Sequence, residues 1–163
     1  MEVLPKRLAR FGLEVSPEKT RLVRFERPSS DADPPDTFDF LGFTLYWGLS
    51  RKGSMVVRWK TAKKRVARTL HAFWEYCRDN RHRPVRTQHA TLSRKLRGHY
   101  QYFGLTMNMR ALGQVFDRVE AIWRYWLDRR SQKARMTWER FKLLLSRLPL
   151  PKPAVVHSVF RIA

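Results

Sequence analysis

The sequence predicts an α+β protein in which short strands and a β-hairpin precede a bundle of three to four helices. The hydrophobic pattern changes near residue 55, from short apolar runs to side chains at helical spacing. Proline is absent between Val85 and Leu148 but clusters near residue 30 and near residue 150. The charge of the chain also changes near this position. Residues 1–50 contain seven Lys and Arg and eight Asp and Glu, whereas residues 51–163 contain 27 Lys and Arg and six Asp and Glu.

The first part of the chain has weak local signals. Val3, Leu4, Leu8 and Phe11 have helical spacing, and Gly12 follows where a helix would stop. Residues 16–18 predict a turn or a helix start, and residues 20–25 predict a strand. Residues 27–37 predict a linker. Its three aspartates, Asp31, Asp33 and Asp36, have carboxylate oxygens of the kind that bind cations. A solvated loop is the preferred interpretation, because a metal site needs ligands held in place.

A β-hairpin is predicted next. Residues 38–43 run directly into the apolar residues 44–47, and a second run covers residues 55–59. The two are separated by a segment that contains Gly53, as in a hairpin turn.

Four helices are predicted after the hairpin, each from an apolar stripe. The stripes are Val66, Leu70, Phe73, Trp74 and Cys77; then Leu92, Leu96, His99 or Tyr100, and Phe103; then Leu112, Val115, Phe116, Val119, Ile122, Trp123 and Trp126; and last Trp138, Phe141, Leu144, Leu145 and Leu148. Residues 80–84 break the first helix, Gly104 ends the second, and Asn108 and Thr137 are N-cap candidates for the third and fourth. Core packing is the preferred interpretation of Trp74, Trp123 and Trp138, with stacking on nucleotide bases as the alternative.

Composition limits the function classes. The chain has 163 residues, a formal net charge of +20 and a hydrophobic fraction of 43%, which is enough for a core. No apolar run approaches the roughly 20 residues of a membrane span, and the first residues lack the layout of a signal peptide. A single cysteine, Cys77, excludes an intramolecular disulfide and suits a reducing compartment. We therefore expect a cytoplasmic protein with a polyanionic partner and no membrane.

Catalytic patterns are scarce. The five histidines lack metal-ligand spacing, and Gly-rich phosphate loops, serine nucleophile motifs and paired carboxylates for Mg²⁺ are not found. The residues alone predict a binding module with no catalytic residues, no metal site and no cofactor.

Basic residues gather in three segments. Lys60, Lys64 and Arg68 form a stripe at helical spacing with Lys63 beside it; Arg94, Lys95 and Arg97 interleave with aromatic residues; and Arg129 and Arg130 extend the third predicted helix. Basic and aromatic side chains together suit phosphate contact with base stacking, so single-stranded or structured RNA is favoured over duplex DNA. A solvated basic surface is the alternative, although helix C-terminal charge does not explain so large an excess.

Several strings resemble the C-terminal half of group II intron-encoded proteins, the reverse transcriptase/maturases. FGLEVSPEKTR at residues 11–21 resembles a late block of the polymerase palm, and FDFLGF at residues 38–43 resembles its last block. LSRKLRGHYQYFG at residues 92–104 and RRSQ at residues 129–132 resemble the maturase-specific domain. The resemblance covers roughly residues 3–157.

The resemblance implies the end of a palm at residues 1–55, a helical thumb or maturase domain at residues 56–150, and a proline-containing tail at residues 151–163. In that family the thumb grips intron RNA and the template–primer duplex. Carried over by position, Arg94, Lys95, Arg97, His99 and Tyr100 are RNA-facing, while Lys60, Lys63 and Lys64 are phosphate contacts by charge. Lys19 matches a palm lysine, but a solvated strand-edge lysine is the preferred interpretation.

The departures from the family shape the expected function. The Tyr-Ala-Asp-Asp catalytic turn and its partner aspartate are absent, so Mg²⁺ belongs only to a complete polymerase, and the chain resembles an amino-terminally truncated fragment. We expect an RNA-binding maturase module that assists splicing of a group II intron without polymerase activity. Two alternatives stay open: a polymerase completed in trans by an upstream palm fragment, and a non-functional remnant of a mobile element. The sequence fixes neither the intron nor the oligomeric state.

Overall fold

The computed structural model describes residues 3–16, 18, 20, 22–28, 36–133 and 135–158. In chain order the elements are α1 (Val3–Ala9), β1 (Thr37–Phe40), β2 (Phe43–Leu49), β3 (Met55–Thr61), α2 (Lys63–Asp79), α3 (Val85–Phe103), α4 (Met109–Asp128) and α5 (Trp138–Arg147). An antiparallel sheet together with these helices confirms the predicted α+β class.

The chain separates into two compact units. The first comprises residues 1–38 and 46–57, and the second comprises residues 39–45 and 58–163. The three-part division expected from the resemblance, with boundaries at residues 55 and 150, stays a prediction.

The sheet has the strand order β1-β2-β3. The predicted hairpin is confirmed: it consists of β2 and β3, and Gly53 in the turn between them has a φ of +77°. The continuous run predicted from Phe38 to Trp47 is wrong. Leu41 and Gly42 have φ values of +48° and +83°, and this pair of left-handed residues turns the chain between β1 and β2.

Among its described residues, the segment before the sheet contains one short helix. As predicted, α1 ends before Gly12, whose φ is +67°. The strand predicted over residues 20–25 is absent from its described positions, which pair with no other strand. Phe25 instead packs its ring against Phe38 at 4.9 Å and Trp47 at 5.4 Å, centroid to centroid. The earlier interpretations of Pro17, Lys19, Asp31 and Asp33 concern positions outside the described residues.

The second unit is built around α4, which packs on both α2 and α3. One face of α4 is fully buried, and its members share the spacing of an apolar stripe: Leu112, Val115, Val119, Trp123 and Leu127. Phe73 and Cys77 of α2 join this core, as do Leu92 and Leu96 of α3. The predicted helices and, apart from Trp138, their inward faces therefore agree with the structure.

Trp123 lies at the centre of this core. Its ring packs edge-on against Phe141 of α5, with centroids 5.6 Å apart. Its Nε1–H donates to Oε1 of the buried Gln88 at 3.0 Å. The Gln88 amide donates in turn to the carbonyls of Arg81 and Arg83, in the loop between α2 and α3. One buried indole thus connects α4, α3 and this loop.

The other tryptophans expected in the core are less buried. Trp74 is half-buried and packs against Tyr125 and Trp126. Trp138 is 49% exposed, so its predicted core position is wrong. It is the first residue of α5, and the Arg124 guanidinium covers its ring at 4.5 Å from the centroid.

The two predicted N-caps differ. The Thr137 hydroxyl accepts from the Arg140 N–H, so Thr137 caps α5 as expected. Asn108 occupies the N-cap position of α4, but its side chain makes no cap bond. Its amide oxygen accepts from the Thr61 N–H at 2.9 Å, and its Nδ2 donates to the Thr61 hydroxyl and to the Phe103 carbonyl at 2.8 Å each. Asn108 therefore connects the ends of β3 and α3 to the start of α4.

The C-terminal segment lies along the turn after α3. Both Val156 and His157 donate backbone N–H groups to the Gly104 carbonyl, at 2.7 and 3.0 Å. A Cβ on Gly104 would overlap the Tyr100 carbonyl and would lie 2.8 Å from the Ala154 carbonyl. Glycine at this position therefore permits the close approach of the two backbone segments.

Replacing Asn108 tests its connecting role. We expect Asn108→Ala to lower the free energy of unfolding by about 2 to 4 kcal/mol, because it leaves buried backbone groups without partners. Asn80→Ala is the matched control, since Asn80 makes one partly buried side-chain bond, to the Tyr76 carbonyl. Urea unfolding followed by circular dichroism measures both variants, and an equal loss in the two would contradict the assignment.

Candidate nucleic-acid interface

The exposed surfaces of α2 and α3 carry a basic cluster, defined here as Lys63, Lys64, Arg68, Arg94, Lys95 and Arg97. All six side chains are exposed. The helical period accounts for this on α3, where Arg94 and Arg97 point away from the side that buries Leu92 and Leu96. Within the described part of the chain, none of the six forms an ion pair with a carboxylate. The cluster therefore presents charge that the fold does not neutralise.

Lys60 is exposed as predicted, but it does not belong to a helical stripe. It lies in β3, and α2 begins only at Lys63. The spacing of Lys60, Lys64 and Arg68 matches a helix by coincidence, because the strand continues to Thr61. Lys64 and Arg68 remain one helical turn apart on α2.

Arg68 and Lys95 meet at a groove between α2 and α3, called here the α2–α3 groove. Arg68, Thr69, Ala72 and Phe73 line it from α2, and Lys95 and His99 line it from α3; its volume is about 300 Å³. The Lys95 ammonium lies over two aromatic rings of α2, 6.0 Å from the centroid of Phe73 and 5.5 Å from that of Tyr76. These cation–π contacts hold the charge at the groove without cancelling it.

His99 and Tyr100, which are RNA-facing according to the resemblance, are buried, although His99 borders the α2–α3 groove; their contact with RNA stays a prediction. Their exposed fractions are 8% and 4%. Both side chains lie on the inward side of α3, and the His99 ring packs 4.8 Å from that of Phe103. Burial lowers the pKa of His99 below its usual 6.5. Burial, followed by the negative charges of Glu120 and Asp117, raises the pKa of Tyr100.

The two arginines that follow α4 have different roles. Arg130 is half-buried and donates to the His82 and Arg83 carbonyls at 3.4 and 3.2 Å, so its guanidinium helps to hold the loop between α2 and α3. Arg129 is exposed, and its guanidinium carbon lies 3.7 Å from the centroid of the Tyr125 ring. A guanidinium stacked on a ring keeps its outer face available for a base.

Sequence patterns did not identify two residues that lie near these sites. Thr69 lines the α2–α3 groove, and Tyr125 supports Arg129, but neither stands in a basic run. A signal for Tyr125 exists, because it lies four residues before Arg129 on a predicted helix, the spacing at which side chains meet. Thr69 has no comparable signal.

Two further kinds of feature are absent from the described ranges. Within residues 3–16, 18, 20, 22–28, 36–133 and 135–158, no three His, Cys, Asp or Glu side chains gather as a metal-ligand group. Within the same residues, no helix combines the length and apolar character that crossing a bilayer requires.

The buried His99 predicts a pH-dependent stability. Because its folded-state pKa is lowered, the unfolded chain binds a proton more readily, so stability is fully present above pH 6.5 and falls as pH drops from there through the lowered pKa. We expect His99→Gln to lose less stability than the unaltered chain between about pH 7.5 and about pH 5.5. Thermal unfolding at both values measures this, and identical losses in the two proteins would contradict it.

Comparison with known proteins adds no relative. No family model matches the chain, and no curated protein or solved structure matches it either. The interpretation of the interface therefore depends on the chemistry of its own residues and on the resemblance in the sequence.

Proposed function

We propose that this chain is an RNA-binding maturase module of the group II intron reverse transcriptase type, which binds intron RNA to assist splicing without a polymerase active site of its own. The observation that carries the proposal is the basic cluster on α2 and α3, exposed and without carboxylate partners among the described residues. The cations of such a surface repel one another. When they neutralise phosphates, the counterions condensed on the RNA are released, which favours binding.

The excess of charge supports a polyanionic partner over a merely solvated surface. Residues 51–163 contain 27 Lys and Arg but six Asp and Glu. A helix surface evolved only for solubility commonly intersperses both signs, with carboxylates four residues from cations. The described part of α3, from Val85 to Phe103, contains no acidic residue at all.

RNA is favoured over duplex DNA by the aromatic side chains near the cations. Arg129 stacks on Tyr125, which itself contacts Trp74 at 4.9 Å between centroids. Unpaired bases stack on guanidinium planes and aromatic rings, whereas regular duplexes keep their bases stacked internally.

The intron-specific part of the proposal rests on the resemblance of residues 92–104. In this string the apolar Leu92 and Leu96 are core residues, while Arg94, Lys95 and Arg97 are exposed. The string thus combines a packing pattern with a surface pattern, and the surface residues are the ones offered to RNA.

Salt-dependent RNA binding tests the proposal. We expect the triple variant Arg94→Ala, Lys95→Ala and Arg97→Ala to weaken binding at least about tenfold and to reduce the slope of log K against log salt by about two, because fewer counterions are released. The control variant removes three exposed cations from α4 and α5, namely Arg110→Ala, Arg118→Ala and Lys142→Ala. Fluorescence anisotropy with a group II intron RNA and with random RNA of equal length measures both.

The two parts of the proposal fail separately. Equal weakening by the two triple variants would remove the assignment to the basic cluster. Equal affinity for the intron RNA and the random RNA would remove the intron-specific part while leaving RNA binding in place.

A second candidate function is supported by the first unit. No residue of α1 is buried, and an apolar groove of about 580 Å³ is lined by Leu4, Pro5, Ala9, Leu13 and Val15 among others. An exposed apolar groove of this kind suits a second polypeptide that covers it. In the second candidate function, that polypeptide is a palm fragment, and the two chains together form an RNA-directed DNA polymerase.

Primer extension with a separate palm fragment tests the second candidate. We expect product only when the two polypeptides are combined, and a loss of product with Leu13→Asp, which places a charge in the groove. Lys52→Asp, at an exposed turn outside the groove lining, is the control. Absence of product with the unaltered pair would exclude this function.

A further inference from the structure

We propose that the α2–α3 groove binds one phosphate group of the RNA strand, with Arg68, Lys95 and Thr69 as its donors and His99 beside it. The proposal rests on the proposed RNA-binding function, and it identifies which chemical group of the partner enters which site. The excess of basic residues does not by itself indicate which of the exposed cations bind a phosphate; the groove does.

The groove is formed by two rigid helices rather than by loops. Arg68 and Thr69 lie in the second turn of α2, while Lys95 and His99 lie one turn apart on α3. Because α2 and α3 both belong to the second unit, the donors are held by the same packed core. The groove has a volume of about 300 Å³, which is the volume that about ten water molecules occupy in liquid water. This is enough for a hydrated phosphate.

The groove selects an anionic acceptor. Arg and Lys side chains only donate hydrogen bonds, and no carboxylate lines the groove among the described residues. The Lys95 ammonium lies over the Phe73 and Tyr76 rings, and these contacts favour its position at the groove before a ligand arrives. Phosphate oxygens accept several charge-assisted hydrogen bonds at once, which an amine or an apolar ligand does not.

His99 borders the groove and contains a polar atom that is unpaired within the part of the chain that the structure describes. Its Nε2 is buried and has no hydrogen-bond partner among the described residues. His99 as a whole is 92% buried, since its exposed fraction is 8%, and it borders the same groove as Lys95. The negative charge of a phosphate beside the ring would favour the protonated imidazole.

A nucleobase fits this groove less well than a phosphate. The Phe73 ring at its base is only 3% exposed and therefore offers no open face for stacking. The remaining aromatic neighbour, Tyr76, is already covered by the Lys95 ammonium. The phosphate is either an internal phosphodiester or a terminal monoester, since both present the same oxygens.

Histidine-ring NMR on the full chain tests the site directly with inorganic phosphate. We expect the His99 ring resonances, identified by their loss in His99→Gln, to shift and saturate as phosphate replaces chloride at constant ionic strength. The other four histidines should not follow the same curve. No saturable shift of His99, or an equal shift of all five rings, would overturn the proposal.

Matched variants separate the groove from general charge. Lys95→Met and Arg68→Gln should each weaken phosphate binding about tenfold or more, because each removes a charge-assisted bond. Arg118→Gln removes one exposed cation from α4 and should change the affinity little. Circular dichroism verifies the folding of each variant, and equal effects of all three would overturn the proposal.

Two RNA oligonucleotides of one sequence, with a 5′-phosphate or a 5′-hydroxyl, identify the source of the phosphate. A shift of His99 with both supports an internal phosphodiester, and a shift with the phosphorylated strand alone supports a terminal monoester. RNA that binds without moving His99 overturns the groove proposal while the proposed function stands. If His99 responds to phosphate but no RNA binds, the proposed function fails and the groove is an anion site of another kind.

Discussion

The packing of the second unit depends on the burial of one face of α4. Both α2 and α3 pack on this helix, and Trp123 brings it against Phe141 of α5. An indole buried at this depth needs an acceptor for its N–H, which Gln88 supplies from α3. Because Gln88 also bonds the carbonyls of the loop between α2 and α3, the position of that loop follows from the packing of a single tryptophan. The packing of Trp123 and the bonds of Gln88 therefore help to place α2 relative to α3, and with them the groove between the two helices.

The same packing explains why the basic residues form a surface. When the apolar sides of α2 and α3 turn toward α4, the opposite sides are left to Lys and Arg. The resulting self-repulsion is a cost that the buried core has to exceed in the free protein, and a polyanion relieves it. The aromatic rings moderate the cost locally, since Lys95 lies over Phe73 and Tyr76 and Arg129 lies over Tyr125.

Arginine has two uses in this chain, and position alone does not distinguish them. Arg129 and Arg130 are sequence neighbours, yet the first stacks on an exposed ring and the second donates to loop carbonyls. Likewise Arg124 combines a bond to the Met136 carbonyl with a contact over the Trp138 ring. A high count of basic residues therefore overstates the number available to a partner, because some of them satisfy the backbone.

The α+β class, the four helices after the sheet and the charge of their outer faces follow from local sequence patterns. These features depend on spacing within one segment, and a repeat of three to four residues reports that spacing directly. Local patterns do not predict that Lys60 lies in a strand or that Asn108 bonds inward to Thr61 and Phe103. They predict a core position for His99 or Tyr100, whereas both are buried in the fold. Each of these depends on neighbours far along the chain, since a polar side chain is turned inward when a distant backbone group needs its hydrogen bond or a distant helix covers it.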